Sequence, residues 1–375
     1  MSSHPHRTPS GKLRAAGLGL RFDGRPGPLN AITDVPGVGV GYATIVEGAG
    51  KLTIGKGPVR TGVTAILPRP LEEVQIPVFA GFHSLNGNGE LTGVHYIAEA
   101  GKFALPVTIT NTHSCGLARD ATIRWAIRHF AGRFDEDFAL PVAAETYDGF
   151  LNDINGFHVT DAYVFEAIES ATTGAVEEGS VGGGTGMKCF GFKAGSGTAS
   201  RLVRYGGQDF TLGAFVQANF GARGDLTVLG HRIGAAFDDL PVRRNTPDPD
   251  LSSIIAVIAT DAPFLPHQLR RLAQRAGIGV GRMGGFGRHG SGDIFLAFST
   301  ANRAIMGGAA EALLSAAYVP DEDIDGFFEA AVRSVEEAIL NSMIANADME
   351  GRDGNFVPAI PHDRLRDLLG LARPA

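Results

Sequence analysis

Residues 243–260 read RRNTPDPDLSSIIAVIAT, and the change of character at Ser252-Ser253 governs the reading of the whole chain. Arg243 to Asp250 carries prolines and charges that suit neither a sheet interior nor a helix, so it reads as an exposed loop. Ser253 to Thr260 is apolar and rich in β-branched residues, the pattern of a buried strand. Downstream, Pro266 to Ala276 has helical spacing and Asp293 to Ser299 (DIFLAFS) reads as another strand. Two helices, over Ala301–Ala317 and Ile324–Asn346, are expected to close the chain. In the second, Phe328, Val332, Val335, Ile339 and Met343 form an apolar stripe fit to lie on a sheet.

Upstream of the junction, Ser200–Tyr205 and Phe210–Asn219 read as a hairpin. The glycine-rich stretch Gly179–Gly197 before it is too flexible for helix. Helices are expected near Leu117–Phe130 and Thr160–Ala171, and strands over Ile32–Ile45, Gly62–Pro68, Val78–Phe82 and Leu105–Asn111. Sheets interleaved with helical runs, without internal repeats, indicate a layered α/β architecture.

Composition narrows the function classes. The 375 residues include 44% hydrophobic and 19% charged residues, ordinary for a folded globular chain. The net charge of -7, with no basic run or basic-aromatic stripe, argues against nucleic acid as the partner. No apolar stretch approaches the roughly 20 residues that span a bilayer, and Met1–Leu20 lacks the apolar body of a secretory signal. A cytoplasmic protein with a loosely held N-terminal tail over residues 1–30 is the expectation. Cys115 and Cys189 are far apart, and the eleven histidines form no HExxH pair, so neither a disulfide framework nor a metal cofactor is indicated. His113 beside Cys115 does not make a nucleophilic pair, because adjacent residues of an extended chain point apart. Gly279–Gly284 (GVGRMG) matches a dinucleotide fingerprint in letters but follows a helical run instead of a strand.

A serine opening a strand is by itself unremarkable. Its chemistry changes if the bond before it is cut. Hydroxyl and free α-amine then share one residue, and an α-amine titrating near 8 can serve as the base for its own hydroxyl. Several stretches around Ser253 resemble one family. They are ITDVPGVGVG from Ile32, FHSLNGNGELTG from Phe82, TNTHSCGLARDA from Thr110, VQANFG from Val216, SIIAVIATDAPFLPHQLRRLA from Ser253 and GSGDIFLAFSTAN from Gly290. They are similar to the L-aminopeptidase D-Ala-esterase/amidase family, which includes the β-peptidyl aminopeptidases.

The resemblance implies a four-layer αββα sandwich over residues 31–375, self-cleaved into subunits 1–252 and 253–375, with Ser253 as the N-terminal nucleophile. It implies that Ser291 and Asp293 orient and tune the Ser253 amine, and that Asn219 and the Tyr147 hydroxyl donate to the oxyanion. Glu145, two residues before Tyr147, is assigned to the substrate's free ammonium. No cofactor is implied; small peptides, amino-acid amides or esters are the expected substrates, and a homo-oligomer of processed heterodimers the expected assembly. Two rivals stand beside this reading. One is a same-fold acyltransferase, disfavoured because the related ornithine acetyltransferases use threonine; the other is a non-catalytic small-molecule binder whose chain stays intact.

Overall fold

The computed structural model describes residues 5–246, 251–306 and 313–371. In chain order the strands are β1 (Gly39–Glu47), β2 (Val59–Leu67), β3 (Val78–Gly87), β4 (Lys102–Phe103), β5 (Val107–Asn111), β6 (Ala143–Thr146), β7 (Lys188–Cys189), β8 (Phe192–Lys193), β9 (Ser196–Tyr205), β10 (Gln208–Asn219), β11 (Thr227–Val228), β12 (His231–Arg232), β13 (Ser252–Thr260), β14 (Ser291–Ser299), β15 (Met349–Glu350) and β16 (Phe356–Val357). The helices are α1 (Val94–Ala100), α2 (Cys115–His129), α3 (Asp161–Glu169), α4 (Pro266–Arg282), α5 (Asp325–Ile344) and α6 (His362–Leu368).

One sheet has the order β1-β2-β5-β6 and the other β4-β3-β14-β13-β10-β9; the remaining strands form two-stranded ladders. In the larger sheet β13 runs antiparallel to β10 and parallel to β14. Parallel neighbours need a crossover, and α4 supplies it.

Alternation along β13 sorts its side chains into two cores. Ile254, Ala256 and Ile258 pack with Leu269 and Leu272 of α4 and Val335 and Ile339 of α5. Ile255, Val257 and Ala259 face Val107, Ile109 and Ala144 of the other sheet. A third core joins Ala43, Val63 and Ala65 to Trp125 of α2 and Val164 and Ile168 of α3. Helices, sheet, sheet and helices thus stack in four layers, the αββα sandwich that the resemblance implied. Each fully buried isoleucine or valine contributes roughly 1.5–3 kcal/mol, so β13, buried on both faces, is fixed more firmly than any edge strand.

The description corrects three expectations. Across Ala301–Ala317, only Arg303–Ile305 forms a 3-10 turn among the described residues; 313–317 is irregular, and 307–312 lies outside them. Asn302, in a left-handed conformation, exchanges two side-chain hydrogen bonds with the Ala317 backbone, both 2.9 Å. A continuous helix would hold those two residues about 22 Å apart, so the pinned ends exclude it. The N-terminal segment is not loosely held. Arg14 is buried, paired with Glu178 at 2.7 Å and bonded to the carbonyls of Leu29, Asn30 and Thr198, while the Ala15 amide donates to Asn341. Finally, α4 runs on to Arg282 and absorbs most of the GVGRMG stretch. Helices α1 and α6 had no counterpart in the sequence reading. Of the expected loop, Pro247–Asp250 lies outside the described residues. Among the described residues, no helix is long and apolar enough to cross a membrane.

The helical layer beside the site touches the sheet at backbone distance. A Cβ on Gly81 of β3 would lie 2.3 Å from the Arg270 nitrogen and 2.8 Å from the Pro266 carbonyl oxygen of α4. Gly81→Ala is therefore expected to destabilise the fold by at least about 1–3 kcal/mol. Gly277→Ala in the same helix, where the new Cβ meets nothing closer than 3.5 Å, should be neutral or stabilising through better helix propensity. Thermal unfolding of the two variants beside the wild type checks the contrast.

Candidate active site

Register decides which groups surround Ser253. It pairs with Asn219 on β10 and Gly292 on β14. Residues paired across strands share a face, so Ser253 and Asn219 point between the two sheets, as Ile255 does. Ser252, Ser291 and Asp293 alternate to the opposite face with Ile254. The strand therefore divides the expected constellation in two.

On the inter-sheet face, the end of β6 supplies the contacts. The Tyr147 backbone N–H donates to Ser253 Oγ at 3.3 Å. Asn219 Nδ2 donates to the Tyr147 carbonyl at 2.9 Å and, at 3.5 Å, to the Leu251 carbonyl. Its Oδ1 accepts from the Lys188 N–H at 3.2 Å, which fixes the orientation of the amide. Tyr147 meets Ser253 through its backbone, and its ring folds over Gly149, where a Cβ would lie 2.4 Å from the phenolic oxygen.

Glu145 is only 3% exposed. Its Oε1 accepts from the Glu90 N–H at 3.0 Å and its Oε2 from the Thr112 hydroxyl. Burial pushes this carboxyl above the ordinary range, while the two donors pull it back. The loop at Asn88–Glu90 lies directly on β14: a Cβ on Gly292 would sit 2.6 Å from the Asn88 carbonyl oxygen, so only glycine fits beside Ser253.

On the opposite face Ser291 Oγ donates to Asp293 Oδ1 at 2.6 Å, both buried. Burial raises the Asp293 carboxyl and the serine hydroxyl offsets part of that rise. The expected pair therefore exists, but it flanks Ser252, and a backbone nitrogen lying in the sheet is what separates it from the Ser253 hydroxyl.

Ser253 opens onto a cavity of about 370 Å³ lined by Asn88, Glu90, Thr112, Glu145 and Tyr147, with Leu251 and Ser252 in its wall. That volume suits a small residue and its leaving group. Among the described residues neither lysine nor arginine lines it, so its field favours cations. A larger cavity of about 710 Å³ lies along β3 between α1 and α4, away from every expected site residue. Thr112 and Glu90 had no role in the sequence reading, although both stand in stretches that carry the resemblance. Cys115 is buried and its thiol is pushed far up by that burial, which excludes it as a nucleophile. Among the described residues no cluster of three or more His, Cys, Asp or Glu could hold a metal ion.

Residues 30–357 match peptidase family S58. The chain belongs to that family. It is 49% identical over 367 residues to β-peptidyl aminopeptidase BapA of Sphingosinicella microcystinivorans, covering 95% of this chain and 91% of the relative. The solved L-aminopeptidase D-Ala-esterase/amidase of Ochrobactrum anthropi, described as a prototype of the serine aminopeptidases with a variant of the Ntn hydrolase fold, superposes with a TM-score of 0.89. That match is 51% identical and covers 95% of this chain and 98% of that one. A Burkholderia sp. β-aminopeptidase structure matches at TM-score 0.86 and 46% identity, covering 96% and 100% of the two chains.

Next to Tyr147 in this S58 chain, Asp148 is fully buried, accepts from Asn152 Nδ2 at 3.0 Å, and keeps an Oδ2 without a hydrogen-bond partner. Burial pushes its carboxyl up to about 7, with Thr61 and Asn152 opposing and Glu145 adding to the rise. An unfolded aspartate titrates near 4, so between about pH 4 and 7 the folded state binds the extra proton. Its contribution is fully present below pH 4 and is lost as the pH climbs through about 7. Thermal unfolding of wild type and Asp148→Asn from pH 5 to 8 should therefore show the wild type losing stability relative to the variant as pH rises.

Proposed function

We propose that this chain is a precursor that cuts itself between Ser252 and Ser253. It then acts as a serine aminopeptidase, releasing amino-terminal residues from small peptides, amino-acid amides or esters. The observation that carries the reading is the Ser253 cavity itself. A serine hydroxyl held by a backbone amide shares a small space with a buried carboxylate and, among the described residues, no lysine or arginine, as a site for a substrate with a free ammonium beside its scissile carbonyl requires. Membership of family S58 and likeness to named aminopeptidases support the reaction class.

In the precursor, Ser253 Oγ attacks the Ser252 carbonyl carbon. The C–N bond breaks, the nitrogen takes up the hydroxyl proton to become an amine, and an ester links Ser252 to Ser253 Oγ. Water hydrolyses that ester, leaving a Ser252 carboxylate and a free Ser253. In turnover the Ser253 amine takes the proton from its own Oγ, which attacks the substrate carbonyl. The proton passes to the leaving nitrogen or oxygen, and water then releases the acid. The Ser291–Asp293 pair sits against the strand at the new N-terminus, placed to hold the amine.

Asn219 Nδ2 and the Tyr147 hydroxyl donate to the oxyanion, with the Tyr147 N–H beside them on Ser253 Oγ; losing one such donor costs on the order of 100- to 1000-fold. In the uncut chain Asn219 already reaches a carbonyl of the segment that ends at the cut, Leu251 O. Glu145, reached by no arginine or lysine of the cavity wall, takes the substrate ammonium.

Two variants test the assignment to one of two adjacent serines. Ser253→Ala is expected to lose hydrolysis of alanine p-nitroanilide by about 10⁴-fold or more, whereas Ser252→Ala, still small at the junction, keeps it within a few-fold. An active Ser253→Ala protein would contradict the assignment.

A further inference from the structure

Two carboxylates line the Ser253 cavity, Glu145 and Glu90, and only the first has been given work. Each oxygen of Glu145 already accepts one hydrogen bond, from the Glu90 N–H and the Thr112 hydroxyl. A primary ammonium brings three N–H donors. A carboxylate with one site on each oxygen taken, and enclosed by protein, does not satisfy all three.

Glu90 is placed to take what remains. Its backbone is fixed from both sides: Asn88 Nδ2 donates to the Gly290 carbonyl at 2.9 Å, the Glu90 N–H donates to Glu145, and Leu91 bridges to Ala144 of β6. Gly89 is wedged between Glu145 and Gly292, so close that a Cβ there would lie 3.0 Å from Glu145 Oε1 and 3.2 Å from the Gly292 Cα. The next side chain, Glu90, is exposed at the mouth, and among the described residues no cation or donor engages its carboxylate. A fixed backbone with an unengaged carboxylate, next in sequence to the Gly89 that touches Gly292, the nucleophile's register partner, is the arrangement of a ligand-binding group.

We propose that Glu90 is a second anchor for the substrate's amino-terminal ammonium, held by Glu145 from the cavity floor and by Glu90 from the mouth. This rests on the ammonium role given to Glu145 above. It makes Glu90 a determinant of specificity for unblocked amino termini, acting on binding and not on the reacting bond. Two carboxylates facing one empty cavity repel each other, and a bound cation relieves that repulsion. The effect on binding is that of a partly exposed ion pair, and it weakens with added salt.

The test uses self-processed protein and alanine p-nitroanilide. Glu90→Gln is expected to raise KM about fivefold at low ionic strength and to leave kcat within about twofold. Self-cleavage should proceed at the wild-type rate, because the precursor presents a peptide nitrogen and not an ammonium. Glu90→Asp, which keeps the charge, should restore most of the affinity, and added salt should shrink the difference between wild type and Glu90→Gln. An unchanged KM in Glu90→Gln, or a loss confined to kcat, would overturn the proposal. Glu145→Gln measured in parallel separates the two readings: if it also leaves KM unchanged, the ammonium assignment of the whole cavity fails, and if only Glu90→Gln does, the second anchor alone fails.

Discussion

The pairing of Ser253 with Asn219 on one side and Gly292 on the other is the constraint on which the site depends. It is a backbone constraint. Because β13 is buried on both faces, its register is held by the apolar residues that follow, Ile254 through Ala259, and not by the polar residues at its start. Alternation then does the chemical sorting. The hydroxyl of Ser253 is delivered to the space between the sheets, where Glu145 arrives on β6 and Tyr147 directly after it. Ser291 and Asp293 are delivered to the other face, against the residue that precedes the cut. Only the backbone nitrogen of Ser253 lies between the two sets. In the proposed reaction this nitrogen is an amide before cleavage and a base afterwards, with polar neighbours on one side and the hydroxyl on the other.

The same topology explains how the chain would survive its own cleavage. In the sheet order β4-β3-β14-β13-β10-β9, the two strands after the cut lie between strands before it. Their ladders and the cores against α4 and α5 do not pass through the Ser252–Ser253 bond. The buried pair of Arg201 with Glu337, 2.7 Å apart, and the Ala15–Asn341 hydrogen bond also join residues on either side of the cut. One fewer peptide bond removes none of these. Polar groups at the junction are themselves costly to bury, and each of the two carboxylates, Glu145 and Asp293, keeps its place through donors held by the backbone next to it.

Much of this was legible in the sequence, and for identifiable reasons. The central strand, the β9–β10 hairpin and α5 announce themselves through apolar runs and periodicity, which are local signals. The serine itself became legible only through the family resemblance of the stretches around it, since a serine where a loop with prolines gives way to a buried strand is ordinary. What escaped was set by distant partners. Arg14 reads as a tail residue until Glu178 and the carbonyls around it are brought alongside. Asn302 reads as part of a helix until it closes a loop with Ala317. The contact between the Tyr147 N–H and Ser253 could not be read ahead, because every non-proline residue carries such a donor and only the fold selects this one. Thr112 and Glu90 stood in quoted stretches without a role, since only the folded chain brings both to Glu145.

Whether the bond held between those two polar faces is cut decides how this site works. Intact mass of the purified wild-type chain tests this most directly. Two polypeptides are expected, one ending at Ser252 and the other beginning at Ser253 with a free amine. A single uncut chain that hydrolyses an aminoacyl substrate at full rate would contradict it.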